Sequence, residues 1–134
     1  MYKRLTHIGV AVKNLATAGP LFAALFGQEA DHTEEVVEQK VRAMFFRIGE
    51  GGIELLEPTA EDSPVAKFIQ KRGEGVHHLS FEVDDIEAEM VRLKADGFEL
   101  IDAVPRSGAD GFRIAFLHPK STNGVLIEIS EKAG

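Results

Sequence analysis

The chain contains no cysteine, no long apolar run and no excess of positive charge. Without cysteine there is no disulfide framework and no thiolate metal site, which permits a reducing compartment. No apolar stretch approaches the ~18 residues that a membrane-spanning helix needs. The net charge of −7 argues against nucleic acid or a membrane surface as partner. The N-terminus shows no signal or transit pattern, so we expect a cytoplasmic protein.

The length and composition favour one folded domain over residues 1–134. A chain of 134 residues is an ordinary domain size and can bury a sizeable core. The hydrophobic fraction of 44% and the mixture of both charges are typical of a globular protein.

An internal repeat organises the sequence. The segment that begins at His7 recurs at His78, with alternating apolar residues after each histidine. Each copy closes on a short apolar strand with a glutamate at its centre, Glu54 in the first and Glu128 in the second. A repeat of this kind predicts that the two halves have the same fold.

Each half reads as strand, helix and three further strands. We expect a first module over residues 4–60 and a second over residues 75–131. Asn14 and Gly27 mark the start and end of the first helix. Between the modules, Ser63 as N-cap, Pro64 at the first helical position and Gly73 at the end predict a connector helix over residues 63–73. The predicted fold class is α+β, with two βαβββ modules in a pseudo-twofold repeat that form a curved mixed sheet around a metal-binding cleft.

Individual elements of the second half follow from its periodicity. Residues 76–83 alternate as a strand, and Ile86, Met90 and Leu93 lie on one face of a helix that ends at Gly97. We expect further strands over residues 100–104, 113–117 and 125–130, with Pro105 ending the first of these.

Two histidines and two glutamates recur at matching places on strands. If the halves pair about a pseudo-twofold axis, these side chains converge on one point. Imidazole and carboxylate together suit a divalent ion such as Co, Mn, Ni or Zn, and four ligands leave two octahedral positions open. The predicted metal ligands are His7, Glu54, His78 and Glu128.

Each of these residues has an ordinary interpretation when taken alone. A single strand histidine is more often structural than a ligand, and Glu128 could be a solvated residue of an antiparallel strand. The repetition in both copies favours the metal site. His77 points to the opposite face from His78, which indicates a packing role. Lys120 and Ser121 lie in a loop that is either a polar turn or a contact for an anionic substrate.

The paired βαβββ pattern with its His/Glu ligands resembles the vicinal oxygen chelate superfamily, which includes glyoxalases, bleomycin resistance proteins and ring-cleaving dioxygenases. Within it, residues 63–68, 73–79, 83–86, 116–121 and 124–128 resemble the methylmalonyl-CoA epimerase family. The resemblance spans residues 5–131. The His-His segment and the His-Pro-Lys-Ser segment followed by Gly-Val-Leu-Ile-Glu are its more specific motifs.

The resemblance implies a metal-dependent epimerase that interconverts the (R) and (S) forms of methylmalonyl-CoA by α-proton abstraction through a metal-stabilised enolate. It implies an acyl-CoA substrate, a homodimer, the four ligands above and Glu128 as one of two acid/base groups. It also implies that Lys120 and Ser121 meet the substrate. The second acid/base position matches Ala43, so Glu38, Gln39, Glu82 or a metal-bound water could replace it.

Other functions of the same fold remain open at this point. A glyoxalase I-type isomerase of a glutathione hemithioacetal would use the same site. A metal-free small-molecule binding protein would need none of the four ligands. A ring-cleaving dioxygenase would use two histidines and one carboxylate, which four candidate ligands argue against.

Overall fold

The structure is a computed structural model that describes residues 1–132. Within this part three α-helices are present: α1 (Leu15–Phe26), α2 (Pro64–Arg72) and α3 (Ile86–Ala95). The strands are β1 (Tyr2–Ala11), β2 (His32–Val36), β3 (Val41–Ile48), β4 (Gly51–Pro58), β5 (Gly75–Val83), β6 (Arg106–Ser107), β7 (Phe112–Leu117) and β8 (Ile127–Lys132). No helix in residues 1–132 has both the length and the apolar character to cross a membrane.

The chain divides into two compact units. The first unit comprises residues 8–77, and the second comprises residues 1–7 together with the chain from residue 78 onward. In the first unit the hydrogen-bonded strand order is β2-β3-β4-β1. In the second unit the order is β6-β7-β8-β5, so the equivalent strands have the same arrangement. In both, the first strand pairs in parallel with the last, and the other pairs are antiparallel. The repeated βαβββ order and the mixed sheet confirm the predicted fold class.

The first unit is built around α1 and the sheet beneath it. Asn14 caps α1 by accepting from the N–H of Thr17, and Gly27 ends the helix at φ 67. Val12, Leu15, Phe46 and Leu55 form the centre of its core. Phe46 of β3 and Leu55 of β4 pack against Leu15 of α1, and burial of this sheet face stabilises the register of the two strands.

Helix α2 spans Pro64–Arg72, within the residues 63–73 that the sequence predicts to be helical. Ser63 is fully buried, and its hydroxyl accepts from the backbone N–H groups of Val65 and Ala66 at the start of α2. Gly73 follows the helix with φ 81, a backbone conformation that favours glycine.

The second unit has its own core beneath α3. Asp85 caps this helix by accepting from the N–H of Ala88. Ile86, Met90 and Leu93 are buried, as their spacing predicts, and they pack with residues of β5, β7 and β8 that include Ile129. This packing holds β8 against β5 in the register that positions the site described below.

The strand predicted over residues 100–104 is wrong. Leu100 makes a single isolated bridge to Leu117, and the two-residue strand β6 comes later, at Arg106–Ser107. The reason lies in Asp102, whose carboxylate accepts the N–H of Phe116 at 2.8 Å. A side chain thereby takes a place that a backbone carbonyl of a regular strand would fill, and Pro105 offers no N–H to continue the ladder.

Candidate metal and active site

Three of the four predicted ligands converge in the second unit. His7 lies on β1, His78 on β5 and Glu128 on β8. In the parallel β5–β8 pair Ser80 stands opposite Glu128, and His78 shares the face of Ser80 because side chains alternate along a strand. The Nε2 atoms of His7 and His78 lie 3.1 Å apart. Oε1 of Glu128 lies 3.5 Å from the His7 Nε2 and 3.6 Å from that of His78.

The donor atoms of these residues fit a divalent ion. Ligand atoms held ~2.1 Å from one ion lie ~3.0–3.4 Å from each other, for octahedral to tetrahedral angles. The 3.1 Å separation of the two Nε2 atoms lies within this range, and the two distances to Glu128, 3.5 and 3.6 Å, lie just above it. Only 4% of the His78 side chain and 6% of the Glu128 side chain are exposed, so the donors are largely shielded from water. Imidazole nitrogen and carboxylate oxygen are suitable ligands for the metals that the sequence indicates.

The surroundings of His7 favour its neutral form. Burial is the main cause that lowers the pKa of His7 below 6.5. The negative charges of Glu128 and Asp110 oppose this effect, and the positive charge of Arg4 adds to it. A neutral imidazole is the form that binds a metal ion.

Thr6 is a contact of the site that the sequence analysis missed. Its hydroxyl donates to the backbone carbonyl of Ser80 at 3.1 Å and also lies 3.2 Å from Nδ1 of His7. Thr6 is 7% exposed. In the sequence, Thr6 is marked only by its place directly before His7. Threonine is a common β-branched strand residue, so this place does not distinguish it from an ordinary one.

Glu82 is held by cations instead of being available as a base. Its carboxylate accepts from Nε of Arg4 at 2.8 Å, and Nζ of Lys3 lies 3.6 Å away. Glu82 is 7% exposed. Of the other candidates for the second acid/base, Glu38 is exposed on a short 3-10 turn, Val37–Gln39.

Glu54 and Ala43 belong to the first unit. Glu54 is 8% exposed on β4, where it stands opposite Gly9 of β1 and Phe45 of β3. Ala43 is 3% exposed and stands opposite Leu56. The role of Glu54 as a ligand stays a prediction, and position 43 carries no acid/base group.

The loop with Lys120 and Ser121 forms a 3-10 turn, Pro119–Ser121. Nδ1 of His118 accepts the N–H of Lys120 at 3.0 Å, so this histidine stabilises the turn. The Ser121 hydroxyl accepts the N–H of Glu99 at 2.9 Å and keeps its own hydrogen for another partner. The Lys120 side chain is exposed.

His77 has the packing role that its position on β5 predicts. Its ring contacts that of Phe68 edge to face, with centroids 5.0 Å apart. Burial lowers the pKa of His77 to about 4.

Residues 6–116 match the Glyoxalase/Bleomycin resistance protein/Dioxygenase superfamily. The chain belongs to this family, which confirms the resemblance seen in the sequence. A His-Glu-His donor set on strands of a βαβββ repeat is consistent with its metal-binding members.

Several relatives within the family are methylmalonyl-CoA epimerases. The chain is 38% identical to the mitochondrial methylmalonyl-CoA epimerase of Dictyostelium discoideum over 96% of this chain and 78% of that protein. It is 36% identical to the ethylmalonyl-CoA/methylmalonyl-CoA epimerase of Cereibacter sphaeroides over 98% of this chain and 99% of that protein. Among solved structures, a Streptomyces coelicolor methylmalonyl-CoA epimerase variant in complex with 2-nitronate-propionyl-CoA is 39% identical, covers 100% of this chain and 97% of that one, and superposes with a TM-score of 0.95.

Proposed function

We propose that this protein epimerises methylmalonyl-CoA between its (R) and (S) forms. The observation that supports this most is the convergence of His7, His78 and Glu128 at mutual donor distances of 3.1–3.6 Å. Relatives of this architecture that are 36–38% identical carry the epimerase name.

His7, His78 and Glu128 would hold a divalent ion, with Glu54 as the fourth ligand. Glu54 stands opposite Gly9 on β4, and Gly9 lies two residues after His7 on the same face of β1. When bound, the ion supplies positive charge beside oxygens on which negative charge develops. Cobalt is the first metal to test, with Mn, Ni and Zn as the alternatives.

The protein's own part of the reaction is a proton transfer at the α-carbon. That carbon lies between a thioester and a carboxylate, which makes its proton acidic, but not acidic enough for an unaided side chain at neutral pH. Glu128 takes or returns the proton on one face of the substrate, and a second acid/base group acts on the other. Removal on one face and return on the opposite face inverts the stereocentre, with no net change in atoms.

Glu82 is unsuited to be the second acid/base group, because Arg4 and Lys3 engage its two carboxylate oxygens. A bound water on the second face is the alternative that best fits an alanine at position 43.

The acyl-CoA substrate carries several negative charges, and Lys120 and Ser121 are its proposed contacts on this acidic protein. We also propose a homodimer in the cytoplasm. Helix α1 supports self-association, since it has no charged residue and leaves Leu21 and Leu25 60% and 67% exposed. Light scattering on the purified protein would measure the oligomeric state.

The decisive experiment combines metal analysis with isotope exchange. Purified protein should contain close to one divalent ion per chain, and with methylmalonyl-CoA in deuterated buffer it should introduce deuterium at the α-carbon. Glu128→Gln should keep the fold and lose at least ~100-fold in exchange rate, because general acid–base catalysis contributes ~10²–10⁴-fold. Glu99→Gln, at an exposed carboxylate of the same unit, is the matched control and should exchange like the wild type.

A glyoxalase I-type activity is measured in the same preparation with a glutathione hemithioacetal. Turnover of that substrate without α-proton exchange in methylmalonyl-CoA would contradict the proposal. Absence of bound metal and of both activities would favour the metal-free binding protein.

A further inference from the structure

The hydroxyl of Thr6 connects the ring of His7 to the backbone of β5. Oγ1 lies 3.2 Å from Nδ1 of His7 and 3.1 Å from the carbonyl oxygen of Ser80. Thr6 is 7% exposed, so water does not compete freely for either contact. All three residues belong to the second unit.

The direction of both hydrogen bonds follows from counting hydrogens. A carbonyl oxygen can only accept, so the single hydroxyl hydrogen of Thr6 is donated to Ser80. Toward His7, Oγ1 can then only accept, and Nδ1 must carry the hydrogen. A neutral imidazole has one N–H, so Nε2 of His7 carries no hydrogen and acts as an acceptor.

The contact on the other side of the ring agrees with this assignment. The Nε2 atoms of His7 and His78 are 3.1 Å apart, which is a hydrogen bond only if one carries a hydrogen and the other does not. With the hydrogen of His7 on Nδ1, Nε2 of His7 is the acceptor of this pair. Its lone pair therefore points toward Nε2 of His78, and Oε1 of Glu128 lies 3.5 Å from the same nitrogen of His7.

We propose that Thr6 is a positioning residue that selects the Nδ1–H tautomer of His7 and thereby presents Nε2 as a metal ligand. Metal-binding histidines commonly have the second ring nitrogen held in this way by a neighbouring acceptor. The proposal deepens the proposed metal-dependent function and rests on it. The Thr6 hydroxyl does not touch the ion or the substrate; it acts through the ring.

The tautomer is measured directly by long-range ¹H–¹⁵N correlation of the histidine rings. The spectra are recorded on metal-free protein near pH 8, where an ordinary imidazole is neutral. The chain has five histidines, and the signals of His7 are those that disappear in His7→Gln. The wild type should show hydrogen on Nδ1 of His7. Thr6→Val, which keeps the branched shape but removes the hydroxyl, should shift His7 toward the Nε2–H form, and Thr6→Ser should restore the wild-type pattern.

Cobalt affinity is the second readout, measured by competition with a chelator. Thr6→Val should bind cobalt about 10-fold or more weakly, because loss of such an outer partner costs ~10–100-fold in metal affinity. Thr6→Ser should stay within about twofold of the wild type. In the epimerase assay at saturating metal, Thr6→Val should lower kcat while leaving KM nearly unchanged, since the hydroxyl makes no substrate contact.

Ser130 provides a matched control in the same unit. It is 2% exposed, and its hydroxyl donates at 3.2 Å to the carbonyl of Phe81, a hydrogen bond that involves no imidazole. Ser130→Ala should lose stability yet leave the His7 tautomer and the cobalt affinity unchanged. Equal losses of cobalt affinity in Ser130→Ala and Thr6→Val would overturn the proposal by assigning Thr6 a merely structural role.

Different outcomes would contradict the proposed function and the role of Thr6. If the wild type binds no divalent ion and exchanges no α-proton, the proposed function is wrong, and the tautomer spectra still decide whether Thr6 controls His7. If the wild type binds cobalt and exchanges the proton while Thr6→Val keeps the Nδ1–H tautomer and the cobalt affinity, the Thr6 assignment alone is wrong.

Discussion

The Nε2 atoms of His7 and His78 face each other at 3.1 Å although the residues are 71 positions apart in the chain. The two rings stand edge to face, with an interplanar angle of 83°. Oε1 of Glu128 lies within 3.6 Å of both nitrogens. This arrangement brings two imidazole nitrogens and a carboxylate together in a place that is mostly shielded from water, which is costly unless a cation or a proton is shared among them.

Cobalt should therefore stabilise the wild type, and His78→Ala should abolish the effect. Binding to the native state alone adds ~2.7 kcal/mol to the free energy of unfolding when free metal is ~100-fold above Kd. Thermal unfolding with and without cobalt measures this increment. His77→Ala is the control, because the ring of His77 packs on Phe68. This substitution should lower the melting temperature without removing the response to cobalt. An undiminished cobalt response in His78→Ala would contradict the ligand assignment.

Lys120→Ala should raise KM for methylmalonyl-CoA without changing the metal content. The side chain is exposed, so its attraction for an anionic substrate is screened over ~8–10 Å at physiological ionic strength. The increase in KM should thus be several-fold at low salt and shrink as salt is added. Lys94→Ala, at an exposed lysine of α3, should leave KM unchanged. If both Lys120→Ala and Ser121→Ala keep wild-type KM and kcat, the loop has no substrate role.

Tyr2 should ionise only at strongly alkaline pH. Partial burial of Tyr2, which is 40% exposed, and then the negative charge of Glu89 raise the pKa of this phenol to about 12. It is the only tyrosine, and the chain has no tryptophan, so ultraviolet absorbance follows this single group. The folded state retains the proton where the unfolded chain has lost it, so the free energy of unfolding should fall as pH rises from 10 to 12. Glu89→Gln should lower the midpoint, and a wild-type midpoint near 10 would contradict the assignment.

Ser80 and Ser130 should respond in opposite ways to replacement by alanine. Both are buried in the second unit, but Oγ of Ser80 has no hydrogen-bond partner among residues 1–132, whereas Oγ of Ser130 donates to Phe81. Ser130→Ala should cost ~1 kcal/mol, the net value of a typical hydrogen bond. Ser80→Ala should be neutral or stabilising, since it removes a buried polar group without a partner. Chemical denaturation measures both, and a larger loss for Ser80→Ala would show that its hydroxyl is used.

The elements that the sequence predicted correctly are those coded by neighbouring residues. Asn14, Ser63 and Asp85 each cap a helix through a hydrogen bond to the backbone two or three residues ahead. The wrong strand at residues 100–104 depended instead on a distant contact, the carboxylate of Asp102 with the backbone of Phe116. Alternating apolar residues cannot reveal that a side chain will replace a ladder hydrogen bond.

For the site, the sequence by itself determined the repeat, the strands that carry its residues and the pairing of a histidine with a glutamate in each half. Only the tertiary structure decided that His7, His78 and Glu128 face one point, because the β5–β8 register depends on burial of α3 against residues such as Ile129. It also decided that Glu82 is held by Arg4 and that Thr6 reaches His7 and Ser80. Such contacts join strands that are far apart in the chain. A short-range sequence pattern does not predict which strands will be neighbours in the sheet.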